Sequence, residues 1–116
     1  MNSQGKQIVI NAINKVISSS PQPYNQNMFS NKYDTNPNDI SKQQFEIWAK
    51  YVTEVLDISY SNLGLFFIME TNIKITQLIL QFNQYNQFNE NKIPYMQLVF
   101  QIKNELLGLI QTIVQF

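Results

Sequence analysis

The chain has 116 residues, eight lysines against eight acidic residues, and no histidine, cysteine or arginine. Without imidazole or thiol groups it lacks the side chains that usually carry acid–base catalysis near neutral pH and bind transition metals. The absence of arginine and the zero net charge argue against nucleic-acid binding, because phosphate recognition needs concentrated positive charge.

The length predicts a single helical domain covering residues 1–116, large enough to bury its own core. The lack of cysteine is typical of an intracellular, reducing compartment. No stretch of about 20 residues is free of charges and dense amides, so we expect no transmembrane span. We also expect no direct lipid contact, because an interfacial helix needs lysines on its polar face.

Residues of about 4–18 are predicted to form a first helix, because Val9, Ile13, Val16 and Ile17 recur at helical spacing. A long irregular loop of about 19–40 follows, in which three prolines exclude a helix. Four large apolar residues predict that this loop packs along the bundle, with a docking segment that orders on a partner as the alternative. They are Tyr24, Met28, Phe29 and Tyr33.

Residues of about 41–60 are predicted to form the second helix. Ser41 and Gln44 have the spacing of a capping box, in which each side chain bonds the backbone N–H of the other residue. One continuous apolar face follows at steps of three and four residues. It consists of Phe45, Trp48, Ala49, Val52, Val55 and Leu56.

Residues of about 62–88 allow two interpretations. Over 63–76, an apolar run followed by alternating residues is compatible with a β-hairpin. A helix accounts for more positions, because one polar stripe then runs along it at steps of four and three. The stripe consists of Glu70, Lys74, Gln77, Gln81 and Gln84. We therefore predict a third helix, separated from the second by Gly64.

Residues of about 92–116 are predicted to form the last helix, with Pro94 in its first turn. Its polar stripe is narrow and made mostly of neutral amides, whereas a bundle helix normally buries only a stripe of somewhat more than 100°. The excess predicts an uncovered apolar flank formed by Leu98, Ile102, Leu109 and Phe116. We expect glutamate at Ile102 or Leu109 to impair association more than folding.

No catalytic, cofactor-binding or metal-binding residues are predicted. The acidic residues of the helices mostly fall on solvated faces beside lysines. The run 34–39 offers oxygen ligands but lacks the central glycine and terminal glutamate of a calcium loop. Glutamine and asparagine number 14 and 15, but they alternate with aliphatic residues at helical spacing, which is not the pattern of a disordered low-complexity segment.

The sequence therefore predicts an all-α protein, a small bundle of three to four helices. We expect a non-enzymatic helical protein–protein interaction module, either an accessory or scaffold subunit of a multi-protein complex or a homo-oligomer. The residues expected to bind the partner are Phe45, Trp48, Phe66, Phe67, Leu98, Ile102, Leu109 and Phe116. The alternative is a small-ligand-binding bundle with an aromatic-lined pocket.

Overall fold

A computed structural model describes residues 3–23, 39–88 and 94–116, except for the side chains of residues 85–88. These ranges contain four α-helices and no β-strand: α1 (Ser3–Ser18), α2 (Lys42–Leu63), α3 (Leu65–Phe88) and α4 (Tyr95–Gln115). The predicted all-α bundle is confirmed, and residues 65–76 are helical, so the hairpin interpretation is wrong. The loop residues Tyr24, Met28, Phe29 and Tyr33 lie outside the described residues.

The helices form an up-down-up-down bundle. The start of α2 meets the end of α1 and the end of α3, and the start of α3 meets the end of α4. Helix α4 also packs against α1, which closes the ring. Helices α2 and α4 also touch across the centre, so in the described part of the chain each contacts three helices, whereas α1 and α3 each contact two. Helices α1 and α3 are thus the peripheral helices of the bundle.

The N-terminus of α2 has the predicted capping box. The hydroxyl of Ser41 accepts a hydrogen bond from the Gln44 backbone N–H at 3.1 Å. The side-chain oxygen of Gln44 accepts one from the Ser41 N–H at 2.9 Å. Two N–H groups that have no partner within the helix are satisfied in this way, which explains why the sequence alone locates the start of α2.

Gly64 separates α2 from α3, as predicted. Its φ of 88° and ψ of 151° lie in a region that is essentially restricted to glycine. Its N–H donates to the carbonyl of Tyr60 at 2.9 Å and so closes the last turn of α2. A single residue therefore suffices to end one long helix and begin its antiparallel neighbour.

Replacing Gly64 by alanine is expected to lower the free energy of unfolding by about 1–3 kcal/mol, because a residue with a Cβ is strained at this φ. Gly108→Ala is the matched control: Gly108 is exposed within α4, where alanine is favoured over glycine by about 0.5–1 kcal/mol. Urea denaturation should shift the two midpoints in opposite directions. An unchanged or raised midpoint for Gly64→Ala would show that the turn has another conformation.

Two helix ends are satisfied by residues far away in the sequence. The indole N–H of Trp48 donates at 2.9 Å to the carbonyl of Val16, one of the last carbonyls of α1. The carboxylate of Asp39 accepts at 2.9 Å from the backbone N–H of Met96 in the first turn of α4, where a negative charge is favoured by the helix dipole. Pro94, at the N-cap position of α4, makes no side-chain capping bond, so Asp39 provides this contact instead.

Candidate protein-interaction surface

Five of the eight residues predicted to bind a partner lie in the core of the bundle. None of them has more than 2% of its surface exposed; they are Phe45, Trp48, Leu98, Ile102 and Leu109. In the folded chain these side chains are not accessible to another protein. The prediction that Leu98, Ile102 and Leu109 form an uncovered flank of α4 is therefore wrong.

The distribution of apolar residues around α4 explains this error. Its buried residues are Met96, Leu98, Val99, Ile102, Leu106, Leu109 and Ile113. At about 100° per residue, Leu98, Ile102 and Leu109 lie inside the buried stripe, which has the ordinary width for a bundle helix, and not on a flank of it. The apolar excess of α4 lies beside this stripe, at the exposed residues Phe100, Leu107 and Val114.

The aromatic residues of the interior pack against one another. The ring of Phe45 lies 4.4 Å from that of Phe82 and 6.2 Å from that of Tyr95, measured between centroids, and Phe82 meets Tyr95 edge-on at 5.2 Å. Burial, together with the nearby carboxylates of Asp39 and Glu46, raises the pKa of Tyr95. Because the rings fill the space between the helices, this cluster acts as packed core rather than as the lining of a ligand pocket.

The other three predicted residues lie together at one end of the bundle. The ring of Phe67 meets that of Phe116 edge-on at 5.4 Å. Phe66 is next to Phe67 in the first turn of α3 and is 91% exposed, and Phe116 is 71% exposed. Tyr60 in the last turn of α2 and Val114 in the last turn of α4 are exposed at the same end. We call Tyr60, Phe66, Phe67, Val114 and Phe116 the apolar end.

No charged side chain occurs in the segments that build the apolar end. Residues 58–69 and 106–116 contain no lysine, aspartate or glutamate. Exposed aromatic rings in segments without charged residues are unusual on a surface that only contacts water, and they have the composition of the centre of a protein interface. The apolar end is therefore the strongest candidate surface on the described part of the molecule.

Helix α3 carries a second exposed apolar feature that the sequence analysis did not identify. Leu65, Met69, Ile73 and Leu80 follow one another at steps of four, four and seven residues, so they share one face. Each is between 46 and 52% exposed. We call these four residues the α3 strip. The buried residues of α3 lie on another face and repeat every seven positions: Ile68, Ile75 and Phe82.

A signal for the α3 strip was present in the sequence. The polar stripe of α3 is a single line of residues. The apolar residues outside it occupy a wider part of the helix surface than the stripe that a bundle helix normally buries. Which of them face outward depends on the position of α3 at the edge of the bundle, where only α2 and α4 cover it. Sequence periodicity alone contains no information on that position.

A surface cleft of 650 Å³ lies between α3 and α4. Amide side chains provide most of its polar lining: Gln77, Gln81, Gln84, Gln101 and Asn104. At its edge the ammonium group of Lys74 lies 3.1 Å from the Glu70 carboxylate. This hydrogen bond, together with the nearby Glu105, raises the pKa of Lys74, so the amine is fully protonated at neutral pH and is not a nucleophile.

The described residues contain no cluster of three or more acidic side chains that could hold a metal ion. Among the same residues, no helix combines the length and apolar character needed to span a bilayer. No protein-family model, curated protein or solved structure matches the chain.

Proposed function

We propose that this protein is a non-enzymatic helical interaction module, an accessory or scaffold subunit that binds other proteins through its apolar end. The observation that carries this proposal is the exposure of Phe66, which is 91% exposed although it belongs to a well-formed helix. Burying such a side chain is worth about 1.5–3 kcal/mol. The bundle forgoes this stabilisation, and a partner that covers the ring would recover it.

The surroundings of Phe66 support the same proposal. Phe116 and Val114 are also largely exposed at this end, and Phe67 holds the ring of Phe116 in an edge-on contact. An exposed ring that is already held by a neighbour loses little conformational freedom on binding. Aromatic anchors of this kind commonly contribute most of the binding energy of a protein interface.

The chemistry of the chain supports a non-enzymatic role. Histidine and cysteine are absent, and the exposed Lys74 and Glu70 are paired with each other. The exposed carboxylates of α2, namely Glu46, Glu54 and Asp57, lie on its solvated side. Because no reactive group is both desolvated and activated by a neighbour among these residues, the arrangement favours binding over catalysis.

Replacing Phe66 by glutamine is expected to release the protein from its assembly. The tagged full chain would be expressed in cells of its source organism, and the size of the species that contains it would be measured by gel filtration of native extract. The fraction of the tagged chain that elutes in the large species should fall about tenfold for Phe66→Gln. An anchor aromatic contributes more than about 1.4 kcal/mol to the binding free energy, which corresponds to tenfold in affinity. The thermal midpoint should change little, since Phe66 contributes little to the core.

Ile47→Gln is the matched control. Ile47 is 48% exposed on α2, near the end of the bundle opposite to Phe66, so this variant should assemble like the wild type. A wild-type chain that elutes from native extract at its own mass of 13.6 kDa would refute the proposal. Equal assembly of Phe66→Gln and wild type would refute it as well.

A further inference from the structure

We propose that the α3 strip is a self-association surface, on which two copies of this chain pack α3 against α3 in antiparallel orientation. This inference rests on the proposed interaction function and specifies a second copy of the chain as one partner. It is carried by the spacing of the strip, the pattern of charges beside it and the peripheral position of α3 in the bundle.

The α3 strip has the dimensions of a helix-pairing seam. From Leu65 to Leu80 it extends over roughly 23 Å at 1.5 Å per residue. Steps of four, four and seven residues keep its members on one line, and a seven-residue period is the spacing with which two helices pack over several turns. Helix α3 contacts only α2 and α4, which leaves this outer face uncovered in the described structure.

A twofold axis between Asn72 and Ile73 makes the strip complementary to itself. Leu65 of one copy then lies opposite Leu80 of the other, and Met69 lies opposite Thr76. Near the axis Ile73 of each copy packs beside the same residue of the second copy. An interface of this kind uses the same surface patch on both chains, as symmetric dimers do.

The charges beside the strip favour the antiparallel orientation. Glu70 and Lys74 each follow a strip residue by one position, so both lie on the same side of the strip. In an antiparallel pair Glu70 of each copy lies near Lys74 of the other. In a parallel pair these two flanks would lie on opposite sides of the interface, so Glu70 and Lys74 of one copy would not meet those of the other. Such rim charges contribute little affinity, but they determine orientation.

A second copy fits this surface better than a lipid bilayer does. Binding to an anionic membrane requires unpaired basic residues, whereas Lys74 lies 3.1 Å from Glu70. The net charge of the chain is zero, so two copies do not repel each other at long range. The strip is formed by four side chains that are about half exposed, so it presents less apolar surface than the roughly 800 Å² per partner of a standard interface. We therefore expect a weak, concentration-dependent dimer.

Sedimentation equilibrium of the purified full chain tests the proposal. The protein concentration would range from about 1 to about 300 µM, where a weak dimer forms. The wild type should shift from monomer towards dimer over this range. Ile73→Glu should raise the dissociation constant at least tenfold, because it places two carboxylates at the axis. Leu107→Glu is the matched control on exposed surface of α4 and should dimerise like the wild type.

Cysteine cross-linking reports the orientation, because the chain has no cysteine of its own. An equimolar mixture of Leu65→Cys and Leu80→Cys should form a disulfide-linked dimer several-fold faster than either variant alone. Faster linkage of each variant with itself would refute the antiparallel arrangement. A charge test follows the same logic: Glu70→Lys and Lys74→Glu should each dimerise more weakly, and their mixture should regain wild-type association.

Two outcomes separate this inference from the proposed function. If the pure chain stays monomeric at 300 µM, or if Ile73→Glu dimerises as well as Leu107→Glu, the self-association proposal is wrong. Release of Phe66→Gln from a large assembly in cells would then still support the interaction module, with a different protein as partner. Ile73-dependent binding of the monomer to vesicles of phosphatidylserine and phosphatidylcholine would refute self-association in favour of a lipid surface.

Discussion

Ile102→Glu is expected to unfold the protein, because Ile102 is fully enclosed by the bundle. A carboxylate at this position would lose its hydration without gaining a counter-charge, and the glutamate would also lose the packing of the isoleucine. Effects of this kind exceed about 4–5 kcal/mol. Because the total stability of a domain of this size is about 5–15 kcal/mol, the substitution removes a large part of it.

Circular dichroism and urea denaturation measure this effect. Leu107→Glu is the matched control, since Leu107 is on the same helix and 45% exposed, and its free energy of unfolding should change by less than about 0.5 kcal/mol. Ile102→Ala should lower the free energy of unfolding by about 2–5 kcal/mol, so burial at this position can still be measured if the glutamate variant does not fold. An Ile102→Glu protein that stays fully helical and loses only association would show that α4 turns this face outward.

Phe45→Ala is expected to lower the free energy of unfolding by about 3–5 kcal/mol. The ring of Phe45 is fully buried and contacts Phe82 and Tyr95 at the point where α2, α3 and the start of α4 meet. Removing it leaves a cavity among rigid rings that close up poorly, and it abolishes two aromatic contacts. The fold thereby loses a connection among three of its helices.

Chemical denaturation with Phe100→Ala as control checks this prediction. Phe100 is half exposed on α4, with the ammonium group of Lys103 5.9 Å from its ring centroid, so its removal should cost no more than about 1 kcal/mol. Phe45→Leu should fall between the alanine variant and the wild type, because it leaves a smaller cavity. A Phe45→Ala protein as stable as Phe100→Ala would contradict a packed aromatic core.

The apolar end and the α3 strip meet where α3 begins, at the adjacent residues Leu65 and Phe66. One interface could therefore cover both, and the substitutions proposed above distinguish the two surfaces. Phe66→Gln alters the apolar end, and Ile73→Glu alters the strip more than one helical turn away. If the two surfaces serve different partners, each variant should abolish a different association.

Helix boundaries and local capping followed from the sequence because their causes are local. The Ser41 and Gln44 capping box, the break at Gly64 and the polar stripe that begins at Glu70 all depend on residues within a few positions of one another. Hydrogen-bond geometry and backbone sterics act over that range, so a single chain segment contains the necessary information. The same locality favoured one helical stripe over the hairpin interpretation of residues 63–76, and the structure confirms the helix over 65–76.

Contacts between distant segments could not be predicted in this way. The indole of Trp48 finds the carbonyl of Val16, and Asp39 supplies the capping carboxylate of α4, across 32 and 57 positions of sequence. The sequence likewise indicated that Leu98, Ile102 and Leu109 share an apolar face without showing that three neighbouring helices enclose it. Periodicity defines the width of a face, but the number of neighbours depends on the arrangement of the whole bundle.

The sequence by itself therefore determined the helices, the breaks between them and the apolar excess, because these depend on backbone preferences and on the order of residues along one helix. The tertiary structure alone decided where that excess is exposed. It buries Leu98, Ile102 and Leu109 of α4 and leaves Phe66 and the α3 strip uncovered, because the neighbouring helices pack against only one face of each helix. Exposure of a side chain is a property of the surrounding helices, and only their packing defines it.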